Sequence, residues 1–350
     1  MFEIRNNILV SGNSYGRLLV RKLHSGSADF SQQSYQLSLK KILRPFIAVE
    51  FSLMGVSATG DGDLVIHTES KVKSHFARIT GTGKVVWFFE REYSGAVIGA
   101  NSVYQFHCGP SLGRVCVLET LDLTTGVQKS YSRVAWPSRA PKSFGAFKLI
   151  LSADEAFLAV KVKNQLLCIF KTSTGQLVHI EEPETLGYTA YDDCWMSPEP
   201  DSSNFLEACW EQGRISIIYL YTHQVSTGTF HRTKMMNFAE DSSAPRGGID
   251  LRRRLIFEEQ SDEHGVTSFV VRPLEAFNLD GTGNKTASCP KTLTMAAGNS
   301  RERKPITLPR RKYEVDYEQD SNSFGIYDGY LVFHHIVTGR LMVADFRPPW

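Results

Sequence analysis

Residues 147–180 read FKLILSADEAFLAVKVKNQLLCIFKTSTGQLVHI. Four short strands follow one another here. Lys148–Leu151 is apolar, and Ser152–Glu155 carries turn residues. Phe157–Lys163 alternates, Asn164–Gln165 turns the chain, and Leu166–Lys171 runs back. Thr172-Ser173-Thr174-Gly175 then leads into Gln176–Ile180, with Gly175 supplying the positive φ that a tight hairpin loop needs. Such a meander has two faces and no core of its own, so it must stack on further copies of itself.

The copies are legible in a recurring dipeptide. With 22 Thr and 27 Gly in 350 residues, chance gives about two Thr-Gly pairs, and the chain has eight. Six of them end one apolar run and begin another, at Gly83, Gly126, Gly175, Gly228, Gly283 and Gly339, and a weaker seventh turn ends at Gly26. Successive spacings are 57, 43, 49, 53, 55 and 56 residues. Thr59-Gly60 is out of step and belongs to a different kind of turn. A period near 50 with four short strands per unit predicts an all-β fold, a β-propeller of about seven four-stranded blades, or six if the weak first unit is not one. Phe51–Thr59, Leu64–Thr68, His75–Ile79 and Lys84–Phe89 form one further unit. Leu206–Trp210, Ile215–Tyr221 and Thr229–Arg232 supply most of another, and Tyr313–Tyr317, Phe324–Tyr327, Tyr330–Val337 and Arg340–Phe346 the last. Trp87, Leu158, Val160, Leu167, Ile169 and Leu177 are the predicted core positions. Gln33–Leu43 has Tyr35, Leu39 and Ile42 at helical spacing and is a candidate short helix.

One propeller domain is therefore expected over residues 1–350, with an insertion at 281–312. That insertion, Gly281–Lys312, is poor in strand signals and carries eight basic residues against the single acid Glu302. Its Gly, Ser, Pro and Asn content predicts a mobile loop open to trypsin. Arg301, Arg303, Lys304, Arg310, Arg311 and Lys312 form a candidate nuclear import signal or a patch for an acidic partner.

Composition bounds the function. Hydrophobic content of 42% and charged content of 22% are those of an ordinary globular chain. A net charge of +2 provides no field for nucleic acid or an acidic membrane, and no run of 18 apolar residues is present to span a bilayer. The first residues, MFEIRNNILVSGNSYG, lack the basic and apolar regions of a signal peptide, so an intracellular chain, cytoplasmic or nuclear, is expected. Six cysteines, at 108, 116, 168, 194, 209 and 289, form no CxxC pair. This spacing fits neither a zinc site nor a disulfide framework, and reduced thiols are expected, with Cys168 buried in a strand.

No catalytic constellation emerges. His334-His335 is adjacent within a strand and so points to opposite faces. His67 and His75 fall on neighbouring strands without a metal-binding spacing to support them. Gly60-Asp61-Gly62 and Gly81-Thr82-Gly83 lack the phosphate-loop form, and no GxSxG elbow occurs. No catalytic residue, metal or cofactor is expected. The connections Glu181–Ser203 and Ala239–Gly248 hold the more informative residues: Tyr188, Tyr191 and Trp195, set among acids, Pro and Ser, are the candidate partner-binding side chains.

The phrases TGTGKVVWFFE and FKTSTGQLVHIEE resemble the quinoprotein-type repeat. The segment LILSADEAFLAVKVKNQLLCIFKTSTGQLV is similar to the WD-repeat-like propellers that follow F-box domains in many filamentous-fungal proteins. That resemblance implies a protein-interaction module, the substrate-recognition part of an F-box-type subunit, reaching a cullin-type ubiquitin ligase through an F-box that these 350 residues do not contain. The alternative it implies is a quinone-dependent dehydrogenase of the pyrroloquinoline quinone type. The Gly-His…Trp-Asp signature of typical WD repeats is absent, as are the adjacent Cys-Cys pair and export signal of catalytic quinoproteins.

Overall fold

The computed structural model describes residues 2–5, 8–12, 16–22, 34–70, 73–91, 94–108, 115–137, 147–162, 166–181, 193–212, 214–238, 247–261, 267–274, 293–294, 324–327, 330–335 and 340–345. These residues form seven antiparallel sheets in which the strands follow chain order. The first holds β1 (Phe2–Arg5), β2 (Ile8–Gly12), β3 (Arg17–Lys22) and β4 (Ser34–Ser38). The second holds β5 (Ser52–Ala58), β6 (Leu64–Glu69), β7 (Ser74–Ile79) and β8 (Val85–Arg91). The third holds β9 (Ser94–Ile98), β10 (Ser102–Cys108), β11 (Val115–Asp122) and β12 (Gln128–Ala135). The fourth, which is the stretch read first in the sequence, holds β13 (Phe147–Leu151), β14 (Phe157–Val162), β15 (Leu166–Lys171) and β16 (Leu177–Glu181). The fifth holds β17 (Asp193–Pro198), β18 (Phe205–Glu211), β19 (Arg214–Gln224) and β20 (Thr229–Asn237). The sixth holds β21 (Gly247–Asp250), β22 (Leu255–Ser261), β23 (Thr267–Pro273) and β24 (Leu293–Thr294), and the seventh, three-stranded, holds β25 (Phe324–Tyr327), β26 (Tyr330–His335) and β27 (Arg340–Asp345).

The chain divides into two compact units, Met1–Leu186 with Val225–Thr229, and Gly187–Gln224 with Phe230–Trp350. In the first unit three apolar seams join successive sheets. The first seam gathers Val10, Leu18 and Val20 with Ile66, Ala77 and Ile79. The second gathers Val65, Phe76 and Trp87 with Val103 and Leu121, and the third gathers Phe106, Cys116 and Leu118 with Leu158, Val160 and Phe170. Alternate residues of one strand thus serve different seams, Ile66 and Val65 of β6 being one example. A sheet buried on both faces cannot show clean apolar alternation, which is why β7 and β14 are buried at every position. In the second unit, Leu206, Ala208 and Ile218 pack with Leu251 and Ile256 in the same manner.

The Thr-Gly turns join the third strand to the fourth in sheets two to five, with φ of 84° at Gly83, 72° at Gly126, 71° at Gly175 and 68° at Gly228. The register slips by a residue beside the first three of these turns, as a bulge feeding a left-handed glycine does. Gly126 and Gly175 are constrained a second time. A Cβ on Gly126 would lie 2.7 Å from Trp87 Cγ, and one on Gly175 would lie 2.6 Å from Ser132 Cβ. The Gly126 and Gly175 turns thus abut the last strand of the preceding sheet, β8 and β12, and there the period of the dipeptide follows the stacking. Thr59-Gly60 indeed lies in a different turn, between β5 and β6.

Polar locks cross the seams of the first unit. Arg78 is buried and donates to Asp63 at 2.9 Å, to Asp61 at 2.5 Å and to the Leu123 carbonyl at 2.9 Å. Trp87 Nε1 donates to the same carbonyl at 3.0 Å. Arg91 forks onto the buried Glu119 carboxylate at 3.0 Å. Glu155, held at a φ of 60°, accepts from Tyr104 Oη at 2.9 Å and from the Ala100 amide.

Three expectations need correction. Ser34–Ser38 is strand β4, and only Leu39–Leu43 is helical (α1). Tyr35 and Leu37, two residues apart, share one face of the strand, while Leu39 and Leu43 are buried four apart in a single helical turn. The connection Glu181–Ser203 contains strand β17, the first strand missing from that unit's sequence pattern. Within Gly281–Lys312, Leu293–Thr294 pairs with Val271 and Val270 as β24, and the rest of that segment lies outside the described residues, as does Tyr313–Tyr317. Among the predicted core positions Trp87, Leu158, Val160, Leu167 and Ile169 are buried, and Leu177 is partly buried.

Candidate partner-binding surface

Strand β17 reads DCWMSP, and its alternation sends Asp193, Trp195 and Ser197 to one face and Cys194 and Met196 to the other. Register sets Asp193 opposite Trp210 and Trp195 opposite Ala208 on β18. Trp195 is 54% exposed, yet it is held in place. Its indole Nε1 donates to Asp193 Oδ2 at 2.7 Å, and its ring meets Trp210 edge-on at 6.4 Å between centroids. Edge-to-face pairing of this kind contributes about 0.5–1.5 kcal/mol beyond area burial. Val127 and Val225 are exposed aliphatic residues of turns and are ordinary surface, and the aromatic Phe46 and Tyr131 are less exposed than Trp195, at 46% and 47%.

The opposite face of the same sheet is buried, and a polar network runs through it beside Met196 and Phe205. Glu207 is fully buried, accepts from Tyr221 Oη at 2.9 Å and lies 3.8 Å from the Arg232 guanidinium. Arg232 in turn stacks 3.5 Å above the Tyr219 ring. Beside Glu207, Cys194 and Cys209 stand directly opposite each other and are joined as a disulfide. Cys108 and Cys116, opposite each other on β10 and β11, form a second. This corrects the expectation of reduced thiols: hairpin register places these side chains together although the sequence holds no close cysteine motif. Cys168 is free and buried, and burial pushes its thiol up to about 12, so it is unreactive near neutrality.

Of the other residues singled out in the sequence, Tyr188 and Tyr191 lie outside the described residues, as do Arg301, Arg303, Lys304, Arg310, Arg311 and Lys312. His67 pairs with Phe76 and His75 with Thr68, so the two histidines occupy opposite faces of their sheet. His67 stacks on Phe76 at 4.4 Å, and burial, with His75 nearby, holds its imidazole down at about 4. Asp193, Trp210 and the Glu207 network went unread in the sequence. The one signal for them was the repeated Cys-Trp dipeptide, at Cys194-Trp195 and Cys209-Trp210. On strands paired in register it places two sulfurs on one face and two indoles on the other.

Successive antiparallel meanders, six of four strands and one of three among the described residues, define a β-propeller. The chain is similar to the Myceliophteria thermophila Cps50 (Swd1) β-propeller domain, with a TM-score of 0.51 and 12% identity over 99% of this chain and 96% of that one. A chain of the mitotic checkpoint complex matches less well, with a TM-score of 0.46 and 10% identity over 77% of this chain and 72% of that one. No protein-family model and no curated protein sequence matches.

Proposed function

We propose that this propeller is a protein-interaction scaffold that acts by binding a macromolecular partner and not by catalysis. The observation that carries this reading is Trp195, a large aromatic more than half exposed and pinned by Asp193 and Trp210 on a strand of a packed sheet. A pre-ordered aromatic loses little entropy on binding and anchors a contact at low cost. Tyr188 and Tyr191, seven and four residues upstream, are proposed to extend the same surface. Affinity capture with the wild type and with Trp195→Ala tests this. The expected result is a partner recovered by the wild type, lost with Trp195→Ala, and retained with Val127→Ala, both variants keeping the wild-type far-UV circular dichroism spectrum. Equal recovery by Trp195→Ala overturns it. Should the purified protein take up pyrroloquinoline quinone and reduce a dye with an alcohol or sugar, the scaffold reading fails.

A finer reading rests on the resemblance of residues 149–178 to propellers that follow F-box domains: the chain selects substrates for a cullin-type ubiquitin ligase in the cytoplasm or nucleus. Co-precipitation of a cullin with the native gene product supports it, and capture of partners without any ligase subunit counts against it. In that reading Arg310, Arg311 and Lys312 serve nuclear import or an acidic partner. Their replacement by Ala then shifts a fluorescent fusion out of the nucleus or loses the partner.

A further inference from the structure

The two disulfides share one architecture and differ in what lies beside them. Both join directly opposed residues of antiparallel strands, with Cα atoms 4.3 Å apart for Cys108–Cys116 and 4.0 Å apart for Cys194–Cys209. The next cross-strand pair on the same face is Phe106 with Leu118 in the first case and Met196 with Glu207 in the second. The first disulfide therefore packs in an apolar cluster with Phe106 and Leu118. The second has a carboxylate at its side. The Cys194 and Cys209 sulfurs and a Glu207 oxygen all lie within 4.8 Å of one another, and all three residues are buried.

We propose that the reduced form of this pair is a metal site, in which Cys194, Cys209 and Glu207 hold one zinc-class divalent cation. Two thiolates and a carboxylate are a donor set that zinc accepts and that hard cations such as magnesium do not favour. Tetrahedral coordination at ordinary zinc–sulfur and zinc–oxygen bond lengths needs donors about 3.6–3.8 Å apart. The donors, all within 4.8 Å of one another, can reach that spacing once the sulfur–sulfur bond opens.

Charge points the same way. With the disulfide closed, the Glu207 carboxylate is offset by the Arg232 guanidinium nearby. Reduction followed by ionisation would add two negative charges to a buried site, a costly change without a counter-charge. A divalent cation supplies both positive charges and restores neutrality. Tyr221 Oη, already bonded to Glu207, orients the carboxylate in the way outer-shell partners do at metal sites.

The steps balance. A dithiol reductant gives two electrons and two protons to the Cys194–Cys209 bond, forming two thiols and its own disulfide. Cation binding then releases the two thiol protons. Cys108 and Cys116 can be reduced in the same way but have no third donor among the described residues beside them.

The test uses the full chain, reduced with a phosphine and titrated with Co²⁺ as a spectroscopic stand-in for zinc. The expected result is one Co²⁺ per chain with a thiolate-to-cobalt charge-transfer band, displaced by Zn²⁺ and absent from the unreduced protein. The Cys108→Ser/Cys116→Ser variant keeps the band, Cys194→Ser loses it, and Glu207→Gln weakens Co²⁺ binding at least about tenfold. A second measurement needs no variant. In the reduced wild type, Zn²⁺ protects Cys194 and Cys209 from alkylation while Cys108 and Cys116 label at an unchanged rate. A folded, reduced chain that binds no Co²⁺, or equal labelling of all four cysteines with and without Zn²⁺, overturns the proposal.

Discussion

Alanine at Gly126 tests the reason the Thr-Gly period exists. The residue sits at a φ of 72°, where an L side chain costs about 1–2 kcal/mol. Its new Cβ would also meet Trp87 at 2.7 Å from Cγ and 2.9 Å from Cβ. Those atoms are the root of a buried side chain, not its movable end, and the indole is tied to the Leu123 carbonyl at 3.0 Å. Relief therefore requires the second and third sheets to shift apart, an overpacking cost of about 1–3 kcal/mol. The total for Gly126→Ala is about 2–5 kcal/mol. Gly228 supplies the control, because it has a φ of 68° in the same kind of turn and nothing within 4 Å of the added atom. Gly228→Ala should lose only the backbone share, about 1–2 kcal/mol. Urea unfolding followed by tryptophan fluorescence and far-UV circular dichroism measures both. If the two variants lose the same stability, the close approach of turn to preceding sheet is not what selects glycine, and the stacking explanation of the period is wrong.

Truncation of Leu167 or Ile169 to Ala, both fully buried on β15, should cost about 2–5 kcal/mol in the same assay, and a loss below 1 kcal/mol would show the position slack. Arg91→Ala strands the buried Glu119 carboxylate and should cost about 3 kcal/mol with little dependence on salt, whereas a loss that vanishes at high salt would mark the pair as a surface one. His67 is neutral in the fold, with a folded pKa of about 4 against 6.5 when free. As pH falls below about 6.5 the unfolded chain takes up the proton first, so stability declines until about pH 4 and the full loss, about 3 kcal/mol, holds below it. His67→Leu should flatten that decline, and an unchanged slope between pH 6.5 and 4 would place the acid sensitivity elsewhere, for instance at His107, whose imidazole burial also holds low.

The repeat was readable because one local requirement, a left-handed residue between the third and fourth strands, recurs in sheets two to five and leaves glycine as its trace. Burial at Leu158, Val160, Leu167 and Ile169 was readable for the same reason: these strands are flanked by unambiguous turns. Strand β17 was not, since DCWMSP has one strongly strand-forming residue, Trp195, and ends in proline, and its place is fixed by pairing with β18. Strand β24 is two residues long and exists only through Val270 and Val271. Trp195 was picked out for its side chain and assigned to a loop, and only the strand assignment brings in Asp193 and Trp210 as its supports. The cysteine pairs depend on register across hairpins, 8 and 15 residues apart, and no local pattern encodes that. Glu207 reads as an exposed acid between apolar neighbours, because nothing local reveals that Tyr221 and Arg232 will meet it.

The binding role itself is tested most directly by photo-crosslinking from a residue beside Trp195. A benzophenone side chain placed at Ser197, on the same face of β17 and two residues along, leaves Trp195, Asp193 and Trp210 intact. A second chain carrying the group at Val127 reports background from a more open surface position. The account predicts a discrete adduct of one macromolecular partner from position 197, abolished by Trp195→Ala and absent from position 127. The same adducts from both positions, or an adduct at 197 indifferent to Trp195, would contradict it.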